Sequence, residues 1–172
     1  MFYFVRHGKT DYSERNTKIY QGFGVQLSKL SQEGVAQIQA AAQDARLADA
    51  DLILSSPYTR AVQTAAILSK QLGLDLVIET DLHEWLANQS YTYEDDKTAE
   101  RAYEEYVRNC GRHASETQTW EEATAIRERV IRVLKRYASY GKVIVAGHGM
   151  MIQATTGKDH PQCGEIVEYH LE

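Results

Sequence analysis

Five consecutive residues near the start of the chain, Arg6-His7-Gly8-Lys9-Thr10, follow the apolar run FYFV and could take part in two kinds of phosphate chemistry. Gly-Lys-Thr ends the loop that wraps backbone amides around the phosphates of nucleotides. A histidine beside an arginine could instead act as a nucleophile next to a guanidinium that binds phosphate. The nucleotide loop requires a glycine five positions before Gly8, and Tyr3 stands there. The residues therefore favour a histidine nucleophile.

A second glycine pair, Gly147 and Gly149, flanks His148 with the spacing of the first two glycines of a dinucleotide-binding fingerprint. Ile152 occupies the position of the third glycine. Too few residues follow to build the further strand–helix–strand units that a dinucleotide fold needs. We therefore expect no dinucleotide cofactor here.

Short runs of Val, Ile, Leu and aromatic residues predict the strands that position these side chains. Four nearly continuous apolar runs are typical of buried parallel strands, and a fifth, alternating run is typical of an edge strand. The predicted strands are 2–6, 51–55, 75–80, 142–147 and 165–171. Apolar residues spaced by three and four predict helices between them. These helices cover 35–45 after the cap Ser31, 61–72 opened by Pro57, and 123–137 with a capping-box spacing at Thr119 and Glu122.

Strands that alternate with helices predict an α/β fold: a three-layer α/β/α sandwich with a mostly parallel central sheet and an antiparallel edge strand. A length of 172 residues suits one core, so we expect a single domain over 1–172. The segment at about 86–118 departs from this alternation because it is polar and rich in tyrosine. We expect it to form one or two helices, as a variable lid or insert over an edge of the sheet. Its tyrosines are Tyr91, Tyr93, Tyr103 and Tyr106.

The overall composition excludes several classes of partner. The net charge is −5 and no lysine–arginine cluster occurs, so nucleic acid is not an expected partner. The apolar runs are shorter than the roughly 20 residues that span a membrane, so no membrane association is expected. No signal peptide is recognisable, and Cys110 and Cys163 are expected to be thiols rather than a bridge. These features predict a cytoplasmic protein.

Ligands of open parallel sheets bind beyond the carboxyl ends of the strands, and several charged residues stand at those ends. They are Arg6-His7, Arg60 shortly after Ser55-Ser56, His83-Glu84, and His148 between two glycines. Guanidinium forks match phosphate oxygens, and helix N-termini direct amides toward anions. A neutral histidine can attack phosphorus, and a glutamic acid can protonate the departing oxygen. The sequence therefore predicts a phosphate pocket at this edge.

Four segments carry a family resemblance. VRHGKT, SSPYTRAVQTA, LHEW and VAGHGMMI resemble, in order, the signature segments of the histidine phosphatase superfamily in its phosphoglycerate-mutase-like branch, and they span positions 5 to 152. The resemblance implies that His7 becomes phosphorylated and that Arg6, Arg60 and His148 complete the catalytic phosphate pocket. It implies that Glu84 is the acid and base. It also implies a three-layer α/β/α fold with no metal and no cofactor.

The chain departs from the family pattern at two places. Ser13 stands where many relatives have an asparagine, and Asn16 follows three residues later. After Glu84, WLANQSYTYEDD lacks the Gly-x-Trp-Glu-Gly-like stretch of many relatives, which leaves the substrate open. The pair Gln21-Gly22 resembles the family's Gln-Gly element, slightly displaced. Further candidates for the pocket are Thr10, Asn16, Gln21, Gly22 and Gly149.

We expect a phosphomonoesterase that hydrolyses small phosphate esters through a phosphohistidine on His7, with a small phosphorylated metabolite as its partner. Two alternatives stay open: a phosphoglycerate-type mutase, and a non-catalytic domain that binds a phosphorylated ligand. The short chain and the acidic segment favour hydrolysis over mutase activity, and the presence of both His7 and Glu84 favours an enzyme. The acidic residues are Glu94, Asp95, Asp96, Glu100, Glu104 and Glu105.

Overall fold

The computed structural model describes residues 1–90 and 95–171. Within these residues, five strands form one sheet in the order β3-β2-β4-β1-β5. Neighbouring strands are parallel except that β5 runs antiparallel to β1 at the edge. The predicted α/β fold with a mostly parallel sheet is confirmed. The strands are β1 Phe2–Arg6, β2 Leu52–Ser55, β3 Leu76–Ile78, β4 Val143–Gly147 and β5 Ile166–Tyr169.

Five α-helices and three short 3₁₀ segments connect the strands in the described part of the chain. The α-helices are α1 Gln32–Ala41, α2 Thr59–Leu72, α3 Asp96–Arg108, α4 Ala123–Arg136 and α5 Gly149–Thr156. The 3₁₀ segments are Gly22–Leu27, Ala45–Leu47 and Thr80–Leu82. No helix among these is long and apolar enough to cross a membrane.

Alternate residues of the buried strands supply two separate cores, because successive side chains of a strand point to opposite faces of the sheet. Phe4 and Val145 pack with α4 and α5 on one face. Val5 and Ile144 pack with α1 and α2 on the other. A strand covered on both faces must be apolar at every position, which is why these runs read as continuous hydrophobic segments.

The register of the sheet aligns the strand ends that carry the candidate residues. Arg6 at the end of β1 pairs with Gly147 at the end of β4, so His7 and His148 both leave the sheet at the same level. Ser55 at the end of β2 pairs with Ala146 of β4. The three central strands therefore deliver their next residues to one edge.

The starts of two helices differ from the prediction. Ser31 caps α1 as predicted, accepting a hydrogen bond from the Gly34 amide at 3.1 Å. The second helix begins at Thr59, after Tyr58 as cap, rather than at Pro57. The predicted capping box at the start of α4 is wrong, since Glu122 accepts a hydrogen bond from the amide of His113 at 2.6 Å instead.

The segment 86–118 contains helix α3, and two tyrosines of that helix contact Trp85. Tyr103 and Tyr106 meet the ring of Trp85 edge-on, with centroid distances of 6.2 and 5.6 Å. Tyr91, Tyr93 and Glu94 lie outside the described residues. The role of the segment as a variable lid stays a prediction.

Candidate active site

His7 directly follows β1, and its ring is held in one tautomer. Its Nδ1 lies 2.7 Å from the carbonyl oxygen of Gly8. A carbonyl oxygen only accepts, so Nδ1 carries the proton and Nε2 keeps its lone pair. Burial, with the charges of Arg60 and Arg6, lowers the pKa of His7 to about 3. The imidazole is therefore neutral at ordinary pH, and its lone pair is on Nε2.

Arg60, in the first turn of α2, is held beside Nε2 of His7. Its Nε donates to His7 Nε2 at 3.2 Å, and its Nη1 donates to Gln26 Oε1 at 2.6 Å. The ring centroid of Tyr58 lies 5.2 Å from its Cζ atom, within reach of a cation–π interaction. Only 5% of Arg60 is exposed, so the guanidinium is buried and oriented before any ligand arrives.

His148 follows β4 and stands at the start of α5. It is fully buried, with its Nε2 2.7 Å from the Ser56 hydroxyl and its ring centroid 5.2 Å from that of His7. Burial, followed by the charge of Arg60, lowers the pKa of His148 well below its ordinary value, so this ring is also neutral. Its Nδ1 is buried without a hydrogen-bond partner. Such a nitrogen is unusual in a protein interior and is suited to a polar ligand.

Arg6, the last residue of β1, lies across the N-terminus of α5. One of its Nη atoms donates to the carbonyl of Pro161, while its Nε is buried without a partner. A Cβ atom added at Gly149 would lie 3.3 Å from Arg6 Cζ, so a glycine there lets the guanidinium lie close to the helix start. The guanidinium of Arg6 gives this end of the pocket a positive charge that an anion can meet.

Glu84 lies shortly after the 3₁₀ segment Thr80–Leu82, and backbone amides hold its carboxylate at the N-terminus of α5. Oε1 accepts from the amides of Trp85 at 2.9 Å and Met151 at 3.0 Å. Among the described residues, Oε2 accepts only from the amide of Met150, at 3.2 Å. Since each carboxylate oxygen offers about two lone pairs, Oε2 is the oxygen with spare capacity to carry a proton.

Glu79 directly follows β3, five residues before Glu84, and its carboxylate is occupied elsewhere. It accepts from the Tyr137 hydroxyl at 2.5 Å and pairs with Arg136, both at the C-terminal end of α4. Glu79 therefore cannot compete with Glu84 for a leaving group beside His7.

A cavity of about 270 Å³ opens beside these residues. It lies between the 3₁₀ segment Gly22–Leu27, residues 84–88 and the first turn of α3. Gln26 and Glu84 line it, and Gln26 also contacts Arg60, so the cavity adjoins the phosphate-binding groups. The arrangement provides a cationic end for a phosphoryl group and a separate space for the rest of a ligand.

A family model for the histidine phosphatase superfamily (branch 1) matches residues 2–158. The chain belongs to this superfamily. It is 27% identical over 156 residues to the protein named "Putative phosphoserine phosphatase 2" from Hydrogenobacter thermophilus, a match that covers 88% of this chain and 74% of that protein.

Solved structures show the same fold. A mycobacterial glucosyl-3-phosphoglycerate phosphatase has a TM-score of 0.67 and 24% identity, covering 91% of this chain and 77% of that one. Its complex with VO3 has a TM-score of 0.65 and 25% identity, covering 91% and 79%. A protein from Thermus thermophilus has a TM-score of 0.64 and 21% identity, covering 95% and 89%.

The further pocket candidates lie at different places in the structure, and only some of them are near the cavity. Gly22 lines the cavity, and Gly149 lies against Arg6. Gln21 is exposed and does not line the cavity. Asn16 is exposed and donates to Asp96 at the cavity, rather than reaching His7. Thr10 pairs with Leu30 through its backbone, and its hydroxyl is buried without a partner.

Sequence reasoning missed Gln26, which takes the place expected of Gln21. Gln26 lies in a 3₁₀ segment, four residues after Gly22, and its amide oxygen receives the hydrogen bond from Arg60. No periodicity or motif marks it in the sequence. The available signal was that Gln21-Gly22 lies slightly late relative to the family's Gln-Gly element, as though two residues were inserted before it.

Sequence reasoning also missed a buried ion pair behind Glu84. Arg129 of α4 binds Glu121 through two hydrogen bonds, of 2.7 and 3.0 Å, and each residue is 5% exposed. Arg129 also donates to the Asp81 carbonyl at 2.6 Å and to the Glu84 carbonyl at 3.4 Å. It therefore anchors the loop that carries Glu84. A charged residue inside the apolar stripe of 123–137 was the available signal.

Proposed function

We propose that this protein is a metal-independent phosphomonoesterase that transfers the phosphoryl group of a small ester to His7 and then to water. The observation that carries the proposal is the state of His7: a neutral ring with its Nε2 lone pair beside the guanidinium of Arg60. A nucleophile that is already deprotonated, next to a cation that binds phosphate, is the arrangement that phosphoryl transfer requires.

In the first step, the hydrogen bond from Arg60 Nε to His7 Nε2 breaks as the substrate enters, and the freed lone pair of Nε2 attacks phosphorus in line with the ester oxygen. The new N–P bond forms as the P–O bond to the alcohol breaks, and protonated Glu84 gives its proton from Oε2 to the departing oxygen. Arg6 and Arg60 bind the equatorial oxygens, whose charge they balance in the transition state. His148, whose ring centroid lies 5.2 Å from that of His7, contributes a further polar contact through its Nδ1.

In the second step, water attacks the phosphohistidine. Glu84 takes the proton of the attacking water, the N–P bond breaks, and His7 Nε2 recovers its lone pair while inorganic phosphate leaves. Between the two steps, the ionised Glu84 is stabilised by the three backbone amides that donate to it. The proton that Glu84 takes from water returns it to its acid form for the next turnover.

Two arginines supply the positive charge that a metal ion supplies in other phosphatases, which supports metal independence. Within residues 1–90 and 95–171, no three His, Cys, Asp or Glu side chains are grouped so that they could hold a metal ion. Phosphatase-named relatives, and the VO3 and phosphate complexes of the mycobacterial phosphatase, support the same class of reaction. Cys110 and Cys163 are free thiols, which supports a cytoplasmic location.

Hydrolysis of p-nitrophenyl phosphate by the purified protein tests the proposal. We expect turnover that a chelator leaves unchanged and that vanadate inhibits competitively, because vanadate adopts the geometry of the transferring phosphoryl group. His7→Gln is expected to abolish turnover. The matched control is His170→Gln, since His170 is exposed near the C-terminus and outside the site. Turnover that survives in His7→Gln would contradict the proposal, as would activity that depends on added metal.

A further inference from the structure

The cavity beside Glu84 is lined mainly by hydrocarbon. Six of its lining residues are apolar, and Leu86 among them is only 5% exposed. Trp85 donates its indole N–H to the Glu121 carbonyl at 2.8 Å, so the polar edge of that ring is already used. The apolar lining residues are Phe23, Val25, Trp85, Leu86, Ala87 and Ala99.

The one cation among the described side chains that line the cavity is already paired with a carboxylate. The charged lining residues are Arg15, Glu84 and Asp96. Arg15 Nη2 lies 3.0 Å from Asp96 Oδ1, so the arginine is already paired. The amide of Asn16 donates to the other Asp96 oxygen at 2.8 Å. These bonds lower the pKa of Asp96, with the Asn16 bond the largest cause, and Asp96 is therefore ionised.

Glu84 is protonated when it donates to the leaving oxygen, and Arg15 and Asp96 then leave this lining without net charge. A carboxylate or a second phosphate on the substrate would lose water in an apolar cavity, and the described lining residues offer it only a guanidinium that Asp96 already shares. An uncharged hydrocarbon group would instead gain from leaving water. The charges and the apolar lining of the cavity therefore both favour an uncharged group over an anionic one.

The volume of the cavity indicates what size of group it can hold beside Glu84. An apolar cavity of about 150 Å³ is enough to hold benzene. The cavity here, at about 270 Å³, therefore accommodates one ring with a short chain, or a branched aliphatic group of similar volume. It adjoins Glu84, which places the ester oxygen at its inner end and the hydrocarbon beyond.

We propose that the physiological substrate class is the phosphate monoester of an uncharged, largely apolar alcohol. The inference rests on the proposed phosphomonoesterase function and adds its selectivity. Esters that carry a second anionic group, such as phosphoglycerates, are expected to be poor substrates, and efficient turnover of them would instead favour the mutase alternative.

A matched pair of esters tests the selectivity. Phenylpropyl phosphate and its ring para-carboxylate differ by one charge, and the saturated spacer keeps the leaving oxygen equally basic. We expect kcat/KM for the neutral ester to exceed that for the carboxylate by about tenfold or more. Phosphoserine, which carries a carboxylate close to the ester, is expected to be poorer than phenylpropyl phosphate.

Two variants connect this preference to the cavity. Asp96→Asn releases Arg15. The ratio of kcat/KM for the carboxylate ester to kcat/KM for the neutral ester is therefore expected to rise by about tenfold. The matched control is Glu100→Gln, which removes the same charge one turn later on α3 at an exposed position outside the cavity. Ala99→Leu fills the cavity and is expected to lower the ratio of phenylpropyl to methyl phosphate turnover.

The outcomes separate this inference from the proposed function. Absence of His7-dependent turnover of p-nitrophenyl phosphate would overturn the proposed function and the inference together. If p-nitrophenyl phosphate is hydrolysed, three results would overturn the substrate class alone. The first is a kcat/KM for the carboxylate ester or phosphoserine that equals or exceeds that for phenylpropyl phosphate. The second is no turnover of either phenylpropyl ester. The third is an unchanged ratio of kcat/KM for the carboxylate and neutral esters in Asp96→Asn.

Discussion

Glu84→Gln should slow phosphoryl transfer in proportion to how strongly the leaving group needs a proton. The carbonyl oxygen of the introduced glutamine can replace Oε1 and accept from the amides of Trp85 and Met151. Its NH₂ group must then replace Oε2, where it meets the Met150 amide, a second donor. One hydrogen bond is lost, which should lower the free energy of unfolding by about 1–3 kcal/mol. The fold should survive, while the proton donor is gone.

The size of the catalytic loss follows from the alcohol. General acid catalysis contributes about 10²–10⁴-fold when the leaving group is a poor one. An alkoxide leaves only with a proton, so we expect a loss of about 10³-fold with phenylpropyl phosphate. p-Nitrophenolate leaves without one, so we expect a loss of about 10-fold with its ester. The difference between the two substrates, about 10²-fold, corresponds to about 2.7 kcal/mol of transition-state stabilisation.

The assay is single-turnover kinetics with enzyme in excess, because steady-state rates combine phosphorylation and dephosphorylation of His7. The control is Glu79→Gln, which removes a carboxylate that pairs with Arg136 and Tyr137 away from the pocket. That variant should lose little rate with either ester. Equal losses with both esters in Glu84→Gln would refute the role of Glu84 as proton donor and leave it a structural residue.

Three further predictions concern the groups around His7. Arg60→Lys should lower kcat/KM for p-nitrophenyl phosphate by about 10²-fold or more, because an ammonium cannot contact His7, Gln26 and phosphate together. The pKa of His7 in the native state, about 3, lies below the unfolded value of 6.5, so only the unfolded chain takes up this proton as pH falls through that interval. His7 alone should therefore reduce the free energy of unfolding by about 2 kcal/mol between pH 7 and pH 5, and urea titrations of His7→Gln should lack that part of the pH dependence. Arg129→Met leaves the Glu121 carboxylate buried without its partner, and urea titration should show a destabilisation of about 3–5 kcal/mol.

Each of these has its own control and contrary result. If kcat/KM of Arg60→Lys for p-nitrophenyl phosphate were within tenfold of the value for the parent protein, the fork geometry of the guanidinium would be unimportant. The exposed His170→Gln should retain the full pH dependence of stability, and an identical pH dependence in His7→Gln would show that His7 is not the neutral buried group described. Adding Glu121→Gln to Arg129→Met should recover part of the lost stability, since a neutral amide is easier to bury than a carboxylate.

The sequence predicted the strands and the residues at their ends because both depend on local patterns. The apolar runs of β1, β2 and β4 must be continuous to be buried on both faces, so they are readable without the structure. Parallel strands bring their carboxyl ends to one edge, so Arg6, His7, Arg60 and His148 could be expected near one another. The structure places them there, and their catalytic roles stay predictions.

The parts that could not be predicted depend on contacts between distant segments. Gln26 reaches Arg60 only because an irregular 3₁₀ segment packs against α2, and no residue pattern specifies that approach. The ion pair of Arg129 and Glu121 supports Glu84 from α4, although Arg129 lies 45 residues after Glu84 along the chain. The apolar cavity is formed by three segments at once, so its lining could not be read from any one of them.

The most direct test of the central claim is to trap the phosphorylated protein. The protein should be mixed with substrate labelled in its phosphoryl group and quenched within the first turnover. We predict label on the protein that is lost in acid, survives alkali, maps to His7 and is absent from His7→Gln, as expected for a phosphorus–nitrogen bond at Nε2. Label that survives acid, or that maps to another residue, would contradict the account, and so would a burst of released alcohol that leaves no label on the protein.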